Sequence, residues 1–381
     1  HRELARQAAR ESIVLLKNNR ALPFPQEVRR LAVIGPNADD AETLFGNYNG
    51  TPSYAVTPLA GIRERAGKDR TVIYTPGCEL AGPRASNYDD AVAAAKQADV
   101  AILVLGLSPR LEGEEGEEHL LDKSGDRRDL GLPQSQEGLL QEILNTGTPT
   151  IVVLQGGSAT AATTAARHAD AVLATWYGGQ EAGTALAEVL FGDYSPAGRL
   201  PVTFYRSLEQ VPPFEDYAMA GRTYRFFDGV PLYPFGFGLS YSSFLYSAFR
   251  VSSERIVPGQ PIIVTVDVQN TGAVASDEVV ELYTCLHDAP VPVPIRQLAG
   301  FRRVHLCPGD QVRVTFEVEP RQMAWYAEDG TPTVGPGTLG IAVGGAQPGR
   351  DWGAGRSSDD PGPGLLACTV AIRGKPKPLP L

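Results

Sequence analysis

The sequence predicts an α/β sandwich, a mostly parallel sheet with helices on both faces, followed by an all-β sandwich. Three observations carry this. Over residues 1–205, short β-branched runs alternate with Ala-rich stretches at helical spacing, the pattern of a parallel sheet covered on both sides. From Phe249 the pattern changes to short alternating strands between Gly, Pro and Asn turns, which suits a sandwich of about 100 residues. At 381 residues the chain exceeds what one hydrophobic core usually holds, so two domains are the default.

Taken in order, Arg2 to Leu16 has apolar residues at helical spacing, Leu4, Ala8, Ile13 and Leu16 among them, and reads as one amphipathic helix. Leu31–Gly35 and Thr71–Tyr74 read as strands, and Tyr88–Ala98 as a helix feeding a strand over 100–105. Gln134–Leu144 is a helix, Pro149–Leu154 a strand, 159–168 a helix, Ala171–Trp176 a strand and Gln180–Phe191 a helix. Residues 206–248 form an aromatic, Pro- and Gly-rich connection. The all-β region spans 249–348, with strands at Ile262–Val268, Asp277–Tyr283 and Gln311–Val318 and a turn at Asn270-Thr-Gly272. The tail, 349–381, is Gly-, Pro- and Asp-rich, with Leu365–Ile372 as a late strand.

The 34 basic and 44 acidic residues give a net charge of −10. No basic cluster is present, which argues against nucleic acid. No run approaches the roughly 18 apolar residues of a membrane helix. Cys78, Cys285, Cys307 and Cys368 lack metal-ligand spacing, though Cys285 and Cys307 can meet across neighbouring strands. The chain opens at His1 without a methionine or signal peptide, so it looks like a piece of a larger protein. The compartment therefore stays open, with export as one option.

Residues 111–133, LEGEEGEEHLLDKSGDRRDLGLP, concentrate the charge: five of the seven residues from Glu112 to Glu118 are carboxylates. They follow the buried run ending at Gly106, and ligands of open parallel sheets bind in the crevice beyond the strand C-termini. Such a cluster can supply a proton donor, a metal cage or merely a solvated surface, and composition alone favours the last. The D-x-D-x-D-G order of a calcium loop is absent. A general acid needs one carboxyl that like charges keep protonated, and the residues alone do not choose which.

Gly125-Asp126-Arg127-Arg128 is either an ordinary turn or a pair that holds a polar ligand or braces the acidic loop. Gly178-Gly-Gln-Glu-Ala-Gly183 has neither the Lys-Ser/Thr of a P-loop nor the GxGxxG spacing, so it reads as a tight turn with close helix packing. Gln155-Gly-Gly-Ser158 is a turn and no nucleophile elbow. The five histidines show no HExxH motif or triad partner, and His119 reads as an exposed neighbour of the acids.

Several stretches, in order, resemble the C-terminal part of family 3 glycoside hydrolases: AARESIVLLKNN (8–19), LAVIGPNAD (31–39), FGNYNGTPSYAVTPLAGI (45–62), GDRRDLGLPQSQEGLL (125–140), WYGGQEAGTALAEVLFGDYSPAGRLPVTF (176–204) and GRTYRFFDGVPLYPFGFGLSYSSF (221–244). NTGAVASDEVVELY (270–283) with LAGFRRVHLCPGD (298–310) is similar to the fibronectin-III-like domain that ends many members. The resemblance covers residues 1 to about 348, and the GNY and LEGEE segments look most like the β-xylosidase branch.

This resemblance implies an α/β sandwich that caps a preceding TIM barrel, in cis or in trans, and lends it the general acid/base. Position before GDR selects Glu112 for that role, with Glu114 and Glu115 as alternatives, and Asp126 and Arg127 as substrate-binding residues. It implies an oligosaccharide or aryl-glycoside substrate and no cofactor or metal. The nucleophilic aspartate and most sugar-binding residues belong to the barrel, which this sequence lacks. A retaining enzyme needs two carboxyls about 5–5.5 Å apart, of which this chain supplies one, so alone it is expected to be inactive. A non-catalytic carbohydrate-binding or structural module is the alternative, and a flavodoxin-like nucleotide binder ranks last.

Overall fold

The computed structural model describes residues 1–85, 87–112, 127–349 and 364–380. Glu114, Glu115, Asp126 and His119 lie outside the described residues. The described chain forms two compact units, His1–Gln210 with 231–233 and 238–241, and the remainder from Val211 on.

The first unit begins with helix α1 (Arg2–Ser12) and strand β1 (Val14–Asn18). The single helix expected over Arg2–Leu16 is thus corrected. Ile13 is already extended (φ −61°, ψ 127°), and Ile13, Val14, Leu15 and Leu16 are all buried. Four consecutive apolar side chains need cover on both sides, which a sheet provides and a one-sided helix does not. Then come β2 (Arg30–Ile34), α2 (Pro58–Ala66), β3 (Thr71–Thr75), α3 (Asp89–Lys96), β4 (Val100–Gly106), α4 (Gln134–Leu144), β5 (Thr150–Gln155), α5 (Thr163–His168), β6 (Ala171–Ala174) and α6 (Ala182–Phe191). Helix α2 has no counterpart in the sequence reading. Its start is nevertheless signalled by Thr57, whose hydroxyl accepts from Ala60 N at 3.2 Å, and by Pro58 in its first turn.

The six strands run β1-β6-β5-β4-β2-β3, all parallel except β1, which pairs antiparallel with β6. Alternate residues on the strands face opposite layers. Leu31, Val33, Ile102, Val104, Ile151, Val153 and Leu173 pack with Leu59 and Ile62 of α2 and Leu186, Val189 and Leu190 of α6. Full burial of each such side chain stabilises by about 1.5–3 kcal/mol. The chain leaves β2 for β3 on one side and continues from β4 to β5 and β6 on the other. The topological switch point therefore lies between β2 and β4, where a crevice opens at the strand C-termini.

The second unit is an all-β sandwich. Its strands are β7 (Phe244–Val251), β8 (Arg255–Ile256), β9 (Ile262–Asn270), β10 (Ser276–His287), β11 (Gln297–Leu306), β12 (Gln311–Val318), β13 (Trp325–Tyr326), β14 (Pro332–Val334), β15 (Gly337–Gly344), β16 (Leu365–Ile372) and β17 (Lys377–Pro378). A β11-β10-β15-β16-β8 sheet and a β12-β9-β7 sheet enclose a core containing Val264, Val266, Phe316, Leu282, Ile341, Val343 and Val370. All four cysteines are free. The pairing of Cys285 with Cys307 fails on register: Leu306 sits opposite Ser276 at one end of β10, while Cys285 lies toward the other end, opposite Gly340 of β15.

Candidate active site

Strand β4 is buried along its whole length and stops at Gly106, whose φ of +136° is a glycine conformation. A Cβ there would lie 1.9 Å from the Gln155 carbonyl oxygen, so only glycine lets the ends of β4 and β5 approach this closely. Gln136 of α4 pins the same point: its Oε1 accepts from Gly106 N at 2.7 Å, and its Nε2 donates to Gly106 O at 2.8 Å and Leu80 O at 2.6 Å. The chain then turns, with Leu111 N and Glu112 N both donating to Ser108 O at 2.9 Å.

Contacts across the switch point fix this turn. Asn37, after β2, donates to Leu107 O at 2.8 Å, and Arg110 Nη2 meets Asp40 Oδ2 at 2.5 Å. Asn47 Nδ2 donates to the Glu112 backbone oxygen at 2.9 Å. The neighbouring cleft, about 770 Å³, is lined by Asp40, Cys78, Glu79, Asp89 and Arg110 among others. Burial and the Glu79 charge push the Cys78 thiol up to about 12, which leaves it a poor nucleophile.

The Glu112 carboxylate points at the loops after β5 and β6. Its Oε2 accepts from Gly157 N at 2.7 Å and from the Tyr177 hydroxyl at 2.5 Å, and its Oε1 accepts from the Ser158 hydroxyl. Arg127 Nη1 stands 3.8 Å from Glu112 Oε1, and both side chains are largely covered, at 15% and 13% exposure. Arg127 is otherwise spent on its own loops, donating to Ser158 Oγ at 2.6 Å, Ala159 O at 3.2 Å and Gly131 O at 3.4 Å. Burial lowers the Arg127 pKa, opposed by Glu112, Asp129 and Tyr177. Burial and the hydrogen bond to Glu112 hold the Tyr177 pKa well above the ordinary tyrosine value, so it remains a donor at working pH.

Two of the residues singled out from sequence, Glu112 and Arg127, are therefore in one cluster. Gly157 and Ser158 were missed as site residues because their motif reads as a tight turn, and Tyr177 because it falls between the strand ending at Trp176 and the turn starting at Gly178. Gly157 has room for no larger residue without pressing on the site, since a Cβ would lie 3.0 Å from the Tyr177 ring and 3.3 Å from Glu112 Oε2. Trp176, with φ of 56°, turns the chain after β6 and is tied by its indole N–H to Ser12 O at 2.9 Å. The Gly178–Gly183 segment packs closely: a Cβ on Gly183 would lie 2.0 Å from the Thr57 oxygen. Among the described residues, no group of three or more His, Cys, Asp or Glu is placed to hold a metal ion.

Residues 13–241 match the glycosyl hydrolase family 3 C-terminal domain, which is more than half of the chain. The chain belongs to glycosyl hydrolase family 3. Residues 278–347 match a fibronectin type III-like domain. A β-xylosidase of Formosa agariphila is 38% identical over 357 residues, covering 90% of this chain and 48% of the relative. A periplasmic β-glucosidase of Salmonella typhimurium is 34% identical, with 90% and 48% covered. Among solved structures, a β-glucosidase from Erythrobacter marinus superposes with a TM-score of 0.81 at 33% identity, over 98% of this chain and 50% of that one. A family 3 exo-β-xylosidase in complex with a xylobiose aziridine probe gives 0.83 at 28% identity, over 99% and 49%. The chain thus spans about half the length of the relatives it matches. No helix among the described residues is long and apolar enough to cross a membrane.

Proposed function

We propose that this chain is the C-terminal portion of a retaining, exo-acting β-glycosidase that hydrolyses O-glycosyl bonds of xylo- or gluco-oligosaccharides. In this reading it supplies the general acid/base to a nucleophile carried by a TIM barrel, in cis or in trans. One observation carries the reading. The glutamate-rich segment starts at Glu112 and returns at Arg127 beside the C-terminal edge of β4, β5 and β6, where α/β sheets present ligand-handling groups. The β-xylosidase and β-glucosidase names of the relatives support the substrate class.

A glutamate of this segment, from among Glu112, Glu114 and Glu115, protonates the departing glycosidic oxygen and afterwards deprotonates the attacking water. Asp126 and Arg127 follow it in sequence; the bonds Arg127 makes to Ser158, Ala159 and Gly131 support a bracing role over direct contact with sugar. No cofactor enters the chemistry.

The test is turnover of an aryl β-xyloside and an aryl β-glucoside by the chain alone and by the chain joined to the N-terminal half of the Formosa agariphila relative. Activity only in the joined protein is the expected outcome. Turnover by the chain alone overturns the division of carboxylates. A folded, joined protein that binds xylo-oligosaccharides without cleaving them favours the non-catalytic module.

A further inference from the structure

We propose that Asn49 is a site of spontaneous chemical modification, converted to aspartate and isoaspartate through a cyclic imide formed with the Gly50 nitrogen. The sequence meets the first condition. Of the asparagines in the chain, only Asn49 is followed by glycine. Any other residue sets a Cβ beside the nitrogen that must attack and narrows the backbone angles open to ring closure, and glycine does neither.

The structure meets the remaining conditions. Residues 47–50 are all exposed, in a loop that turns at 47–48. A Cβ built on Gly50 would meet nothing within 4 Å, so no neighbour obstructs the approach. Asn49 Nδ2 donates to Gly50 O at 2.9 Å, which folds the carboxamide forward over the glycine. Among the described residues, no hydrogen bond engages the Gly50 N–H or Asn49 Oδ1. Other candidates are held. Asn18 Oδ1 accepts from Ala21 N at 3.0 Å and Leu22 N at 3.1 Å, and Asn37 and Asn270 are fully buried. Asp329 also precedes a glycine, but Gly330 N is spent on Ala327 O at 2.9 Å. Hydrogen bonds from Thr331 hold the Asp329 carboxyl below its ordinary value, so it stays ionised and a poor electrophile.

The reaction needs only water. The Gly50 nitrogen loses its proton to solvent base and attacks Asn49 Cγ. A C–N bond forms, and the carboxamide nitrogen takes up a proton and leaves as ammonia. Water then opens the imide at either carbonyl. Opening at Cγ gives aspartate; opening at the main-chain carbonyl carbon of residue 49 routes the chain through Cγ and gives isoaspartate. Both products add a negative charge, and isoaspartate lengthens the main chain by a methylene. The change falls close to the site, because Asn47 of the same turn donates Nδ2 to the Glu112 backbone oxygen at 2.9 Å.

The experiment ages the whole chain in warm, mildly alkaline buffer and follows every asparagine by peptide mapping in a mass spectrometer. A protein isoaspartyl methyltransferase counts the isoaspartate independently. Position 49 should convert first, at a rate close to that of the same chain unfolded in guanidinium chloride. Gly50→Ala, for which there is open space, and Asn49→Gln, which must close a larger and slower ring, should both lose conversion at position 49 and keep the native circular dichroism. Conversion in the folded chain far slower than in the unfolded one would mean that the loop is protected, and overturns the proposal. Conversion at Asn19 or Asn145 ahead of Asn49 overturns it too, as does an undiminished rate in Gly50→Ala. Should a variant fail to fold, its rate in guanidinium chloride against that of the native sequence tests the role of the glycine, while the native chain alone tests access.

Discussion

Arg127 Nη1 lies 3.8 Å from Glu112 Oε1, so the first and last described residues around the acidic segment meet in a largely covered ion pair. Unlike an exposed pair, this one is tied in by hydrogen bonds to Ser158, Ala159 and Gly131. Arg127→Met should destabilise the first unit by about 1.5–3 kcal/mol, the range for hydrogen bonds to charged groups. For a unit of this size that corresponds to roughly 3–12 °C in Tm, measurable by calorimetry on the chain itself. Arg127→Lys should recover only part of the loss, because a compact ammonium lacks the planar fork whose two nitrogens reach Ser158, Ala159 and Gly131. A Tm unchanged in the methionine variant would show that the clasp adds nothing to stability.

Helices α2 and α6 meet through two glycines. A Cβ on Gly61 would lie 2.1 Å from the Gly183 oxygen, and one on Gly183 would lie 2.0 Å from the Thr57 oxygen. The obstructing atoms are backbone, so neither can rotate away, and each alanine variant should cost about 3 kcal/mol or more by forcing the helices apart. Gly50→Ala, with nothing within 4 Å of the added carbon, is the matched control. Denaturant midpoints that fall equally for Gly50→Ala and Gly61→Ala would contradict this account.

These two cases mark where sequence was legible. Periodicity located β4 and α4 because their burial follows one simple rule, and the β/α alternation predicted a parallel sheet. Residues 13–16 misled it because consecutive apolar residues fit a helix as well as a strand until their neighbour β6 is known. At the site, the charge of Glu112 and Arg127 was visible, but Tyr177, Gly157 and Ser158 act through tertiary placement. A turn motif states that the chain reverses; it does not state which carboxylate the reversal faces. The close approach of Gly61 to Gly183 is likewise a relation between segments more than 100 residues apart in sequence, invisible to any local pattern.

In the second unit, Asn270 is fully buried and makes four hydrogen bonds. Its Nδ2 donates to Val274 O at 2.9 Å and Leu306 O at 2.8 Å, while its Oδ1 accepts from Gly272 N at 2.9 Å and the Ser242 hydroxyl at 2.6 Å. Asn270→Ala strands these partners and should cost about 3 kcal/mol. Asn270→Asp should be no better, since a carboxylate cannot donate to the two carbonyls. Chemical denaturation of both variants checks this, and a near-native midpoint for the aspartate variant would be the contrary result.

Asp277 gives the second unit a defined response to acid. Its Oδ1 meets His305 Nδ1 at 2.6 Å and its Oδ2 meets Arg303 Nε at 2.7 Å. Burial raises its pKa, but the hydrogen bonds and charges of His305 and Arg303 outweigh burial and leave the carboxyl below its ordinary value. Because the folded-state pKa is depressed, the stabilisation is fully present above the unfolded value of about 3.9 and is lost as pH falls through the folded one. The Tm of the native chain should therefore exceed that of Asp277→Asn at about pH 5, where an ordinary imidazole is protonated, and approach it below about pH 4. His305→Ala, which removes one favourable partner, should move the closing of the gap to higher pH. A gap between native and Asp277→Asn that widens from about pH 5 to pH 3 would mean that burial, not the Arg303 and His305 contacts, governs this carboxyl.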